Sequence, residues 1–172
     1  AVTKAVMKRV SVEKTLDLGG WNGALGAHLR SLFSDTAIFP MGAVAKDQLL
    51  EPGAFRPTDD HTRTGLNAAT DLSFLGHSLD TYNEIAWFLK RDYFMRVSDV
   101  DAAFPMLPFH PDLWPFMFFR FYATPDSTFQ HLFVHLCGDF GTSGMPGAFK
   151  IFFVDVVVNM ARSVQVLTLP LP

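Results

Sequence analysis

The chain has 172 residues, of which 49% are hydrophobic and 14% aromatic, and this composition excludes an intrinsically disordered protein because it supplies enough apolar side chains for one packed core. The formal net charge is −3, from 14 Lys and Arg against 17 Asp and Glu, so we do not expect the chain alone to bind nucleic acid strongly. The mean hydropathy of +0.19 predicts that part of the apolar surface meets a partner.

The single cysteine, Cys137, excludes an internal disulfide and fits an intracellular, reducing compartment. The longest apolar runs are Leu113–Tyr122 and Ile151–Val158. Both are shorter than the roughly 20 residues that a membrane-spanning helix requires, and we therefore expect no transmembrane segment.

The first forty or so residues begin with a basic stretch and continue into one amphipathic segment. The basic residues of the stretch are Lys4, Lys8, Arg9 and Lys14. We expect this stretch to be a mobile, solvated terminus. Asn22 to Phe33 is predicted to be a helix, because three leucines recur there on one face. From Thr36 to Asn67, frequent Pro and Gly favour short strands and turns.

The middle of the chain carries a helix signal followed by a strand signal. Thr81 and Glu84 form a capping-box pattern, which predicts a helix from about Leu79 to Lys90. The apolar run Phe94–Val100 then predicts a strand.

The last third of the chain alternates between turns, strands and a final helix. We predict a proline-bounded turn region over Pro105–Pro115 and a strand pair formed by Phe116–Tyr122 and His131–Cys137. Pro146 is well placed at the first turn of a last helix that runs to about Ala161. These elements predict an α/β (α+β) fold with a mostly antiparallel sheet and helices packed on one face.

Two acidic residues, Asp99 and Asp101, lie at the end of the predicted strand Phe94–Val100. Residues two apart in a strand project from the same face, so both carboxylates could bind one Mg²⁺ ion. The alternative is a solvated strand end without a ligand.

Two histidines and a serine offer weaker candidate sites. His131 and His135 would stand about 13 Å apart along a strand, too far to share one metal ion, and a structural role is favoured. Ser143 follows His135 and Asp139, but no Gly-x-Ser-x-Gly elbow frames it, and nucleophilic catalysis is not favoured.

A longer pattern begins at Asp99. The segment Asp99-Val-Asp-Ala-Ala-Phe104, followed by a His-Pro-Asp-x-Trp turn at residues 110–114 and a strand ending in Phe-Arg120, resembles a retroelement (retrotransposon-type) reverse transcriptase. The resemblance implies that Asp99 is the catalytic Mg²⁺ ligand and that Phe104 lies beneath the incoming sugar and excludes a 2′-hydroxyl. Asp101 occupies a position at which that family accepts many residue types.

Two further segments are similar to motifs of the same family. Phe140-Gly141, followed by Pro146 and Phe149, is similar to the motif that contacts the nascent base pair. The segment around Arg56, Asp59 and Asn67 is similar to the fingers signature, which implies that Arg56 binds the triphosphate, with Lys46 as a second triphosphate contact.

The resemblance covers roughly Lys46 to Arg162 and implies an N-terminal segment and fingers in residues 1–70, a return to the fingers in residues 107–144, and palm in residues 71–106 and 145–172. Its partners would be an RNA/DNA template-primer and a deoxynucleoside triphosphate. Since the chain ends before a Tyr-x-Asp-Asp motif, we expect it to be inactive alone. The alternative is a domesticated, non-catalytic structural or interaction subunit that docks with protein partners in a larger assembly.

Overall fold

The computed structural model describes residues 2–46, 52–73, 100, 102–160 and 163. Its elements in chain order are α1 (Val2–Ser11), β1 (Thr15–Gly20), α2 (Gly23–Leu32), β2 (Ile38–Phe39), β3 (Met41–Ala45), β4 (Phe55–Asp59), α3 (Leu66–Ala69), two 3₁₀ helices (Phe104–Met106 and Pro111–Phe116), β5 (Phe118–Phe121), β6 (His131–His135), α4 (Met145–Phe149) and a π-helix (Lys150–Val158). The predicted helix Leu79–Lys90, and all of the predicted strand Phe94–Val100 except Val100, lie outside the described residues, as do Asp99 and Asp101.

The strands form two sheets. A four-stranded sheet has the order β1-β6-β5-β2, in which β6 is antiparallel to both neighbours and β2 is parallel to β5. Strands β3 and β4 form a separate antiparallel hairpin. The predicted mixed helix-and-strand class is therefore confirmed.

Both faces of the four-stranded sheet are covered by helices, so the prediction of helices on one face is wrong: α1 packs in one core, and α2 and α4 pack in the other. On β5, Phe118 belongs to one apolar core and its neighbour Phe119 to another. On β6, Phe133 packs with Phe119 at 5.2 Å between ring centroids, whereas Leu132 and Val134 face the other core. Because successive side chains on a strand point to opposite faces, a strand that is buried on both sides has an unbroken run of apolar residues in its sequence.

Several local predictions are confirmed. The helix predicted from Asn22 to Phe33 is α2, with Asn22 as its N-cap accepting the Leu25 backbone N–H at 2.9 Å. The predicted strand pair is β5 and β6. The predicted last helix is present as α4 and the π-helix that follows it, although the sequence did not indicate π geometry.

The prediction of a mobile, solvated N-terminus is wrong. Residues Val2–Ser11 form helix α1, in which Val6 is completely buried against Phe39 and Phe119. The basic residues concealed the apolar spacing of Val2, Val6 and Val10, which share one helix face.

The predicted turn region Pro105–Pro115 contains turns and the two short 3₁₀ helices, each with a proline in its first turn. In the part of the chain that the structure describes, no helix has the length and apolar character needed to cross a membrane.

Candidate functional site

The two cations expected at the triphosphate lie on the β3–β4 hairpin. Arg56 is exposed on β4 and pairs with Val44 on β3. Lys46 follows β3, and its backbone N–H bonds the Ala54 carbonyl at 3.0 Å, which continues the ladder. Residues 44 and 46 share a face, so the register places Lys46 and Arg56 on the same side of the hairpin.

Phe104 lies against the glycine-containing segment that follows β6. Its ring centroid is 5.1 Å from that of Phe140 and 6.1 Å from that of Phe149. A Cβ on Gly138 would lie only 2.6 Å from the Phe104 carbonyl oxygen and would also overlap the Met145 sulfur. The backbone at residue 104 therefore approaches the segment as closely as glycine allows.

Gly141 is held between two parts of the segment 55–67, the one that resembles a fingers signature. A Cβ on this glycine would overlap the carbonyl oxygen of Asp59 and lie 2.8 Å from the His61 ring. The Asn67 side chain donates to the Gly141 carbonyl at 2.9 Å and accepts the Ser143 backbone N–H at 2.9 Å. In the described structure, the neighbour that requires glycine at 141 is the protein's own hairpin.

A buried polar cluster lies beside this contact. It consists of Asp59 at the end of β4, His61 just after it, His135 at the end of β6, Asp139 in the following loop, and the half-buried Arg9 of α1. Since isolated charges are expensive to bury, such a cluster is stable only if its members neutralise one another.

Asp139 is the most fully hydrogen-bonded member. Its Oδ1 accepts the backbone N–H of Gly141 at 2.8 Å and the backbone N–H and hydroxyl of Thr142 at 2.9 and 3.0 Å. His61 Nε2 donates to Oδ2 at 2.8 Å. Burial raises the pKa of Asp139, but the hydrogen bond and charge of His61, with a smaller contribution from His135, outweigh it, and the net pKa lies below the ordinary value.

Longer contacts surround Asp59. Its Oδ1 lies 3.3 Å from His135 Nε2, and its Oδ2 lies 3.5 Å from Arg9 Nη1. The same Arg9 nitrogen is 3.4 Å from His135 Nε2. The other ring nitrogen of His135 hydrogen-bonds the Thr15 hydroxyl at 2.9 Å, which fixes the ring.

Three residues of this cluster could bind a metal ion. Asp59, His135 and Asp139 each offer one atom that could coordinate a metal, these three atoms lie within 4.8 Å of one another, and all three residues are buried. These differ from Asp99 and Asp101, the predicted Mg²⁺ ligands, which lie outside the described residues. In the sequence, Asp59 is part of the segment that resembles the fingers signature and His135 is a histidine for which a structural role is favoured, and nothing indicates that they meet, because 76 residues separate them.

His131 and His135, for which the sequence favours a structural role, contact different aspartates. His131 Nδ1 bonds the carboxylate of Asp17 at 2.9 Å, whereas His135 belongs to the group that could hold a metal ion. Ser143 contributes its backbone N–H to Asn67, and its buried hydroxyl has no hydrogen-bond partner among the described residues.

No protein-family model matches this chain, and a search of curated proteins gives no significant match. Function is therefore inferred from the residues and their geometry alone.

Proposed function

We propose that the chain is a fingers and N-terminal palm fragment of a reverse-transcriptase-like polymerase, which would carry out template-directed nucleotidyl transfer in a complete enzyme. The observation that supports this most is the pair of hydrogen bonds that join the Asn67 side chain to the backbone of Gly141 and Ser143. By the resemblance, Asn67 ends the fingers signature and Gly141 belongs to the base-pair motif, and the two segments lie 74 residues apart in the sequence. Their direct contact is what one nucleotide site assembled from both would require.

The proposed roles follow the order of the resemblance. Arg56 and Lys46 would bind the triphosphate from the hairpin, where an arginine fork matches phosphate oxygens bidentately. Phe104 would contact the sugar, and Phe140 and Gly141 the base pair. The packing of Phe104 on Phe140 at 5.1 Å supports a shared position for these last contacts.

Asp99 is the proposed catalytic residue, with Asp101 as a weaker second carboxylate. Their oxygen donors suit Mg²⁺, which supplies charge neutralisation to a transferring phosphoryl group when it is bound. Two-metal transfer requires more carboxylates than Asp99 provides, and the 172 residues include no Tyr-x-Asp-Asp sequence. We therefore expect this polypeptide to bind nucleotide weakly and to extend no primer by itself.

A nucleotide-binding titration tests the proposal. A fluorescent deoxynucleoside triphosphate with Mg²⁺ should bind the chain, and Arg56→Ala should weaken binding about tenfold or more, since a charge-assisted hydrogen bond contributes about 1.5–3 kcal/mol. Arg30→Ala is the matched control, because Arg30 is also exposed but lies on α2. Equal binding by Arg56→Ala and the parent chain, or an equal loss in both variants, would contradict the proposal.

A second candidate function is a non-catalytic structural subunit that docks into a protein assembly. Large apolar side chains on the surface favour it, with Phe140 63% exposed and Phe129 58% exposed. Size-exclusion chromatography separates the candidates: a monodisperse monomer that binds template-primer supports the polymerase fragment, and aggregation relieved only by a protein partner supports the subunit.

A further inference from the structure

We propose that Asp59, His135 and Asp139 form a binding site for a divalent transition metal, with Zn²⁺ as the preferred ion. Its ligands are different residues from Asp99, at which Mg²⁺ is expected, and the inference does not depend on the polymerase proposal. Three lines of observation support it: the spacing of the donor atoms, the hydrogen bonds that orient them, and the charge of the cluster.

The spacing fits a small tetrahedral ion. Zn²⁺ binds imidazole nitrogen and carboxylate oxygen at about 2.0–2.2 Å, so adjacent ligands of a tetrahedral site stand about 3.3–3.5 Å apart. Asp59 Oδ1 and His135 Nε2 are 3.3 Å apart. The set with Asp139 spans no more than 4.8 Å, and a small movement of the third carboxylate would complete the site.

The ligands are already oriented by outer contacts. His135 Nδ1 bonds the Thr15 hydroxyl at 2.9 Å, which leaves Nε2 facing Asp59. Asp139 Oδ1 accepts three hydrogen bonds, whereas Oδ2 accepts one, from His61. Because a carboxylate oxygen has two lone pairs, Oδ2 can still bind a metal ion. Outer hydrogen bonds of this kind fix the orientation of the ligands in established metal sites.

The charge around Asp59 also favours a dication. The side chains of Asp59 and Asp139 are both fully buried. Asp139 has a close partner in His61, at 2.8 Å, but the cationic contacts that the structure describes for Asp59 are longer, at 3.3 Å to His135 and 3.5 Å to Arg9. A dication would lie closer to Asp59 than either of these groups, and the imidazole donor selects Zn²⁺ over Mg²⁺ or Ca²⁺.

Arg9 is the internal competitor for this position. Its Nη1 lies 3.4 Å from His135 Nε2 and 3.5 Å from Asp59 Oδ2, beside two of the proposed ligand atoms. Its side chain is 16% exposed and so lies at the edge of the cluster. The bound ion and the Arg9 guanidinium repel each other, so the arginine must turn outward when the metal binds.

The consequence for the fold is a link between two segments. Asp59 ends β4 of the hairpin that carries Arg56, whereas Asp139 begins the loop that holds Gly141. One ion bound to both would fix the position of the hairpin relative to that loop and to β6. Its role would be structural.

Calorimetric titration of the 172-residue chain with ZnCl₂ tests the proposal. We expect one ion per chain and a rise in melting temperature with Zn²⁺ but not with Mg²⁺. Thr15→Val removes a residue that only orients a ligand, and it should weaken Zn²⁺ binding about 10–100-fold. Asp59→Asn keeps the side-chain shape but removes a ligand, and it should weaken Zn²⁺ binding more than that. His131→Asn is the matched control, since His131 is on the same strand and pairs with a different aspartate.

Arg9→Met separates a metal site from an internal ion-pair network. If a metal binds the three ligands, removing the competing cation should tighten Zn²⁺ binding about tenfold, because the repulsion between the two charges is lost. Absence of saturable Zn²⁺ binding by the parent chain would overturn the proposal. So would an equal loss in Asp59→Asn and His131→Asn, or an Arg9→Met variant that binds Zn²⁺ no more tightly than the parent.

Discussion

The two ends of strand β6 carry the same pair of residue types in different surroundings. At its start, His131 pairs with Asp17 at 2.9 Å, and the two side chains are 22% and 24% exposed. At its end, His135 lies 3.3 Å from Asp59, and the two side chains are 2% and 0% exposed. The His131–Asp17 pair therefore has the shorter distance, but it is also the pair whose charges are screened by solvent.

The difference between the two pairs lies in burial, which decides how much each pair depends on its neighbours. A partly exposed ion pair contributes about 0–1 kcal/mol and is easily replaced by water. A buried pair must be satisfied by neighbours, and the neighbours gathered at residue 135 are Thr15, Arg9 and the segment around Asp139.

Replacing each histidine by leucine should give the largest contrast between the two ends. His135→Leu leaves Asp59 buried with only its long contact to Arg9 among the described cations, and we expect a loss of about 3–5 kcal/mol in the free energy of unfolding. His131→Leu should cost less than about 1 kcal/mol. Urea denaturation of both variants checks this, and similar losses would remove the distinction between the ends.

An alanine scan of two glycines should give the next largest effect. A Cβ at Gly141 overlaps the Asp59 backbone, whereas a Cβ at Gly20, which pairs with His131, meets only the Phe129 ring at 3.4 Å. We expect Gly141→Ala to cost about 1–3 kcal/mol, as overpacking does, and Gly20→Ala to cost less. Thermal unfolding measures both, and a more harmful Gly20→Ala would contradict the proposed tight contact at Gly141.

Asn67→Ala tests the connection between the segment 55–67 and the loop that contains Gly141. It removes two hydrogen bonds of 2.9 Å to that loop and one of 3.2 Å to the Thr62 hydroxyl, and it should cost about 1–2 kcal/mol. Amide hydrogen exchange should show faster exchange at Ser143, whose N–H loses its acceptor, and unchanged exchange at Gly19, whose N–H bonds Asp17 at 2.8 Å. Unchanged exchange at Ser143 would show that its hydrogen bond to Asn67 does not protect this N–H from exchange.

Cys137 gives the smallest effect, a difference in reactivity. Burial raises the pKa of its thiol, and the charge of Lys14 opposes this only in part. A raised pKa leaves less thiolate at neutral pH, so alkylation should be slower than for an exposed cysteine and should accelerate only at alkaline pH. Rapid alkylation at pH 7 would show that this end of β6 is more open than described.

The sequence predicts those elements whose causes are local. Helix α2 follows from its leucine spacing and the Asn22 cap, and strands β5 and β6 follow from apolar runs bounded by turn residues. Helix α1 was missed because its burial depends on a distant core, and its lysines dominate the local pattern.

The Asp59 cluster could not be predicted because nothing local marks it. Asp59 stood out only as part of a motif, and Asp139 only as a neighbour of Ser143. The contact of His61 with Asp139 spans 78 residues, and that of Asp59 with His135 spans 76. Such pairs arise from the topology that brings the β3–β4 hairpin to the end of β6, and spacing along the chain does not encode it.

Anomalous diffraction at the zinc edge, from crystals of the chain grown with Zn²⁺, tests most directly whether the buried end of β6 binds a metal ion. We predict one strong peak between Asp59, His135 and Asp139, with the Arg9 side chain turned away. A peak only at His131 and Asp17, or no ordered zinc with Arg9 still beside His135, would contradict the account.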